Sequence, residues 1–142
     1  MNNYIDIIIE EAIKASKKRE VPVGAIIVHD NKIIAKAHNC RIKSNDVTSH
    51  AEIIAIRKAA KKLKDWRLSE CDLYVTLEPC NMCMEVIKES RIRNVYYLLT
   101  REKSKKSYYK TNVRMIDDLT DNQQVISYKD ILSDFFKLNC KR

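Results

Sequence analysis

Along its middle third this chain alternates between two hydrophobic periods, and few folds accommodate that alternation. Ile53, Ile56, Ala60 and Leu63 recur at spacings of three and four, which predicts a helix running from a cap at Thr48 or Ser49 to about Leu63. Asp72 to Leu77 alternates Leu73, Val75 and Leu77 with polar or aromatic neighbours and reads as a strand. Pro79 suits the first position of a helix running to about Ser90, and the apolar run Val95 to Leu99 reads as a buried strand. Strands alternating with helices need crossover connections, so part of the sheet is parallel and helices cover both of its faces.

The flanks complete the pattern. Tyr4 to Lys18 carries Ile5, Ile8, Ile9, Ala12, Ile13 and Ser16 on one helical stripe. Gly24 to His29 and Lys32 to His38 are β-branched runs around an Asp30-Asn31 hairpin turn, which makes the sheet mixed. Asn39 to Thr48 reads as a polar loop, Asp65-Trp66-Arg67 as a connector, and Arg101 to Lys110 as a basic loop or short helix. Gln124 to Ser127 reads as a last strand and Lys129 to Asn139 as a last helix. The expected fold is α/β: a three-layer α-β-α sandwich with a central mixed five-stranded sheet, in one domain over residues 1–142.

Composition narrows the function classes. Of 142 residues, 45% are hydrophobic and 32% charged, which suits a folded domain and excludes a disordered polyion. No apolar run approaches the about 18 residues of a membrane span, and no secretory signal is visible at the N-terminus, so the cytoplasm is the expected compartment. Gly24 is the only glycine, which excludes a glycine-rich phosphate loop. A net charge of +8 favours a polyanionic partner.

The cysteines are Cys40, Cys71, Cys80, Cys83 and Cys140, an odd number that argues against a disulfide framework. Cys80 and Cys83 fall on nearly one side of a helical turn, at a helix N-terminus that favours thiolate. With His50, two soft sulfurs and an imidazole suit Zn²⁺. Glu52 lies two residues beyond His50, about 200° around a helix, so the two side chains do not share one face. At a helix's first turn Glu52 can still reach a group bound above the helix end. Three ligands beside a free carboxylate describe a catalytic zinc that activates water. A structural zinc corner or a redox pair would also use Cys80 and Cys83. The former needs a fourth ligand from Cys71, His38 or Cys40, and the latter needs neither His50 nor Glu52.

His50-Ala51-Glu52 with Pro79-Cys80-x-x-Cys83 resembles the H-x-E…P-C-x-x-C signature of the zinc-dependent nucleobase deaminases, in the cytidine/deoxycytidylate deaminase superfamily. Further matches follow in order: Glu20-Val21-Pro22-Val23-Gly24-Ala25, Asn39 ahead of His50, Thr76 to Cys83, Ser90-Arg91-Ile92, and Leu132-Ser133-Asp134-Phe135-Phe136. Over residues 4–138 the chain is similar to bacterial tRNA-specific adenosine deaminases. That resemblance implies a cytidine deaminase-like fold and one Zn²⁺ per chain on His50, Cys80 and Cys83. It implies Glu52 as the catalytic proton shuttle, with Asn39, Val23 and Ala51 against the base. The implied reaction converts adenosine to inosine at the wobble position of a tRNA anticodon stem-loop, in a homodimer. The chain departs from the family in Leu98 to Lys103, which lacks the usual Gly and Asp and places Arg101 near the Asp position. Met84 and Glu85 replace small residues after the second cysteine.

The candidates for RNA contact are Arg101, Lys103 and Lys106, from the basic character of their segment, and Phe136 and Lys137, which the resemblance implies. Arg101, Lys103, Lys105, Lys106 and Lys110 with Tyr108 and Tyr109 form one basic segment, and Arg57 to Arg67 holds another. Either can instead be a solvated charged face, and at least one of Phe135 and Phe136 can be core. A deaminase of free bases, nucleosides or nucleotides (cytosine, guanine or a pterin-like ring) would share the zinc site. A catalytically idle zinc- or RNA-binding module would not need Glu52.

Overall fold

β1 (Gly24–His29) is the strand around which the sheet is built. It pairs antiparallel with β2 (Lys32–His38) on one side and with β3 (Cys71–Leu77) on the other. β3, β4 (Asn94–Leu99) and β5 (Asn112–Met115) run parallel, giving the order β2-β1-β3-β4-β5. The computed structural model describes residues 2–101, 112–116 and 122–139. α1 (Asn2–Lys17) and α5 (Asn122–Asn139) pack together on one face of the sheet, and α3 (Ala51–Leu63) and α4 (Asn81–Glu89) on the other. A four-residue α2 (Arg41–Ser44) lies in the stretch read as a polar loop. The three-layer arrangement around a mixed five-stranded sheet agrees with the sequence expectation.

Covering on both faces explains the unbroken apolar run of β1, whose Ala25, Ile26 and Ile27 are fully buried. Ile5, Ile8, Ala12 and Ala15 of α1 face the sheet at spacings of three and four. Each fully buried Ile stabilises the fold by about 1.5–3 kcal/mol. Gly24 is required by close approach. A Cβ there would lie 2.1 Å from the carbonyl oxygen of Ile8 and 2.7 Å from the amide of Ala12, both backbone atoms of α1. The Asp30-Asn31 turn is as expected, with positive φ at both residues (52° and 60°) as a two-residue hairpin demands.

The last strand differs from the expectation. Residues 124–127 belong to α5, and the fifth strand is Asn112–Met115. Val125, Tyr128, Leu132 and Phe135 recur at spacings of three and four, and Tyr128 and Phe135 are buried against the rest of the fold. The adjacent β-branched pair Val125-Ile126 mimics a strand locally, while the longer period decides. Asn112–Met115 carries little strand signal because it is a short, largely exposed edge strand.

Two substitutions test this packing by urea unfolding. Gly24→Ala drives a methyl into helix backbone that cannot swing aside, so a loss of at least about 2 kcal/mol is expected. Lys64 ends α3 with a left-handed backbone (φ 56°). Lys64→Gly should raise the midpoint at unchanged slope, a gain of about 0.5–1 kcal/mol.

Candidate active site

His50 and Cys80 occupy the same position in two helices. Each is an N-cap residue with extended backbone, φ −75° and ψ 153° at His50, φ −72° and ψ 173° at Cys80. Their carbonyls accept the first helical hydrogen bonds, from the amides of Ile54 at 3.0 Å and Met84 at 2.9 Å. The helix starts therefore lie later than the sequence suggested. Thr48 and Ser49 do not cap α3, and Pro79 precedes the cap of α4 instead of opening the helix. The shift has a chemical result, because an N-cap side chain lies over the helix end. Neither side chain caps its own helix; both are turned toward one point.

Cys83 reaches the same point from the first turn of α4. The sulfurs of Cys80 and Cys83 lie 3.7 and 3.4 Å from His50 Nδ1, and the three donor atoms all fall within 4.8 Å of one another. A tetrahedral zinc at ordinary bond lengths separates nitrogen and sulfur donors by about 3.6 Å. The donor set thus fits such an ion. A hydrogen bond from Cys83, with His50 alongside, holds the Cys80 thiol down at about 3 against the opposing effect of burial. The same hydrogen bond and burial push Cys83 up. A cation that displaces the thiol protons meets two sulfurs already facing one point.

Glu52, the second residue of α3, is 2% exposed. Burial raises its pKa above the ordinary carboxylate value, opposed by its own backbone amide and by the charges of His50 and Arg101. The angular separation expected between His50 and Glu52 does not arise, because His50 stands outside the helix. Both line one cavity of about 1000 Å³ at the carboxyl ends of β3, β4 and β5, where open α/β sheets place their ligands.

Asn39 is the joint between the cavity and α3. Its Oδ1 accepts the amide hydrogen of Ala51 at 2.8 Å, supplying the cap that His50 does not. Its own amide donates to the carbonyl of Val23 at 3.2 Å. Among the described residues no partner takes the Nδ2 hydrogens, and Nδ2 has the chemistry to donate to a ligand. Val23 and Asn39 line the cavity; Ala51 is fully buried behind it with its amide already bonded. α5 supplies Lys129, Leu132, Ser133 and Phe136 to the lining, and its buried Tyr128 hydroxyl donates to the carbonyl of Pro22 at 2.7 Å. Thr76 Oγ1 accepts from the Gly24 amide at 3.1 Å.

Of the residues assigned to RNA, Arg101 and Phe136 line the cavity. Phe135 is core, with its ring edge-on to Phe136 at 5.4 Å. Lys137 is exposed on α5 away from the lining. Lys103 and Lys106, with Lys105, Lys110, Tyr108 and Tyr109, lie outside the described residues. In the second basic segment Arg57 pairs with Asp46 and Arg67 with Asp65, and neither lines the cavity. Sequence reasoning missed Arg41, Lys129 and Met115 in the lining. Only the correct register of α5 would have pointed to Lys129.

The alternative zinc ligands separate from the site. Cys71 starts β3 at the end opposite Leu77, about 20 Å away along the strand, with its sulfur 3.8 Å from His29 Nδ1. His38 Nδ1 lies 3.2 Å from the carboxylate of Glu11. Among the described residues His50, Cys80 and Cys83 form the one cluster of three donors, and no fourth joins it to close a structural site.

A family profile described as MafB19-like deaminase matches residues 2–139. A tRNA-specific adenosine deaminase of Aquifex aeolicus is 39% identical over 141 residues, spanning 94% of this chain and 92% of that protein. The chain belongs to the tRNA-specific adenosine deaminase family. It spans 56% to 62% of the length of several other bacterial relatives it matches. A solved structure from work on A-to-I editing by tRNA:A34 deaminases superposes with a TM-score of 0.75 at 36% identity, over 80% of this chain and 97% of that one. A guanine deaminase of Bacillus subtilis superposes with a TM-score of 0.66 at 38% identity, over 70% of this chain and 64% of that one. The sheet and its helices are thus those of the cytidine deaminase-like fold. Among the described residues no helix is long and apolar enough to cross a membrane.

Metal analysis of purified protein should find one ion per chain. Cys83→Ser should lose it, while Cys71→Ser should retain it in full.

Proposed function

We propose that this chain is a zinc-dependent hydrolase that converts adenosine to inosine at the wobble position of a tRNA anticodon. The observation that carries this reading is the meeting of His50, Cys80 and Cys83 beside a buried Glu52, whose pKa burial raises, at one cavity. Relatives named tRNA-specific adenosine deaminase support the substrate, as does the family of the A34 deaminase structure.

His50, Cys80 and Cys83 would hold one Zn²⁺ per chain, and zinc so held activates water at neutral pH. Everything else falls to this chain's residues. Glu52 takes the proton from the attacking water, whose oxygen adds at C6 of adenine. It delivers protons to ring N1 and to the departing amine, so that water is consumed and ammonia released. Its raised proton affinity suits a group that must carry a proton between steps. Asn39 offers Nδ2 to an acceptor on the purine edge, and Val23 packs beside it. Phe136 and Arg101 line the cavity and are suited to neighbouring nucleotides of the loop, the ring by stacking on bases and the guanidinium by its charge. The resemblance also supports a cytoplasmic homodimer.

Guanine deamination is the second reading, favoured by the similarity to the guanine deaminase structure. An open cavity of about 1000 Å³ is more than one free base fills, which supports the RNA reading instead.

Treating tRNA pools with the zinc-loaded protein and sequencing them should reveal A-to-G changes at the wobble position. Free adenosine should be a very poor substrate, because contacts remote from C6 supply the positioning energy. Brisk ammonia release from free guanine, with tRNA unchanged, would move the assignment to the second reading. Glu52→Ala should keep its zinc and lose turnover by at least about 10²–10⁴-fold. Loss of zinc in that variant would make Glu52 a ligand and overturn its role.

A further inference from the structure

The mouth of the cavity carries three cations from three separate elements: Arg41 of α2, Arg101 after β4, and Lys129 of α5. Arg57, Arg67, Arg91 and Arg93 each have a carboxylate within ion-pair distance. Among the described residues, the side chains of Arg41, Arg101 and Lys129 have none.

Two buried carboxylates lie close to this rim and bond its main chain. Glu20, 2% exposed, accepts the backbone amides of Arg41, Ile42 and Lys43 at 3.0 to 3.3 Å. Glu78, 3% exposed, accepts the backbone amide of Arg101 at 3.0 Å, and its carbonyl takes Arg101 Nε at 3.0 Å. In each case the acid fixes the main chain that carries the arginine. The terminal guanidinium nitrogens remain available, and little ordering of the backbone is left to be done on binding.

The same cavity is lined by His50, Glu52 and Cys80, so an anion that meets the three cations places the group attached to it beside those residues. We propose that Arg41, Arg101 and Lys129 form a phosphodiester-binding rim that grips the RNA backbone on either side of the target nucleotide, with Glu20 and Glu78 as the positioning residues for the two arginines. The proposal rests on the RNA reading above and extends it to Arg41 and Lys129. Guanidinium groups take two phosphate oxygens at once, and the lysine acts as a point charge.

The test is binding of a fluorescent anticodon stem-loop RNA to the zinc-loaded protein across a salt series, with editing of the same RNA read separately. Arg41→Gln/Lys129→Gln should weaken binding about tenfold at low salt. It should also flatten the slope of log K against log salt by about 1.4, the share of two phosphate contacts on a single strand. The charge-keeping pair Arg41→Lys/Lys129→Arg should restore the slope, which a merely structural role would not require. Should the double variant unfold, each single variant carries the same test with half the change in slope. Unchanged affinity and slope would overturn the rim while leaving the editing activity standing. Salt-dependent binding without editing would sink the activity and leave the rim. Adenosine 5′-monophosphate binding as tightly as the stem-loop would make this a mononucleotide phosphate site and overturn the backbone assignment.

Discussion

Helix starts need acceptors for their first amide hydrogens, and the two helices that frame this cavity give up the side chains best placed to provide them. His50 and Cys80 hold the N-cap positions of α3 and α4 and face each other instead. A lost cap costs about 1 kcal/mol. α3 recovers part of it through Asn39, whose Oδ1 bonds the Ala51 amide. The rest of the fold serves that meeting of helix ends. β3 delivers the chain to Cys80, the hairpin of β1 and β2 delivers it to Asn39, and Thr76 ties the start of β1 to the neighbouring strand. Tyr128 then clamps α5 over the open side.

Those parts of the fold whose residues interact locally were legible in the sequence. β1, β2 and their turn, the body of α3, β3 and β4 follow from hydrophobic period and from Asp30-Asn31. The His50, Cys80 and Cys83 cluster follows from donor type and spacing. What escaped was set by contacts distant in sequence. α2 is four residues long and is held by the carboxylate of Glu20, which no local pattern announces. α5 was broken in two because Val125 and Ile126 carry a strand preference that burial of Tyr128 and Phe135 overrides. Arg41 and Lys129 look like any other cation in a chain with 27 of them; which ones face a cavity is decided by the register of the elements that carry them. The N-cap roles of His50 and Cys80 were hidden for a related reason. Pro79, Thr48 and Ser49 are all good helix-start residues, and tertiary placement chose other positions.

A chain with a single glycine must make its left-handed turns from other residues. Arg19, Asp30, Asn31, Asn45, Lys64 and Arg91 all have positive φ. Asp and Asn tolerate that conformation, whereas lysine and arginine resist it. Lys64 and Arg91 close α3 and α4 at the ends remote from the cavity, while the opposite ends hold the donor cluster. Strain and chemistry thus sit at opposite poles of the same two helices. The remote poles are a reserve of mutational headroom: relief of strain there can offset substitutions that reshape the cavity for another base, with no change to any residue that touches the substrate.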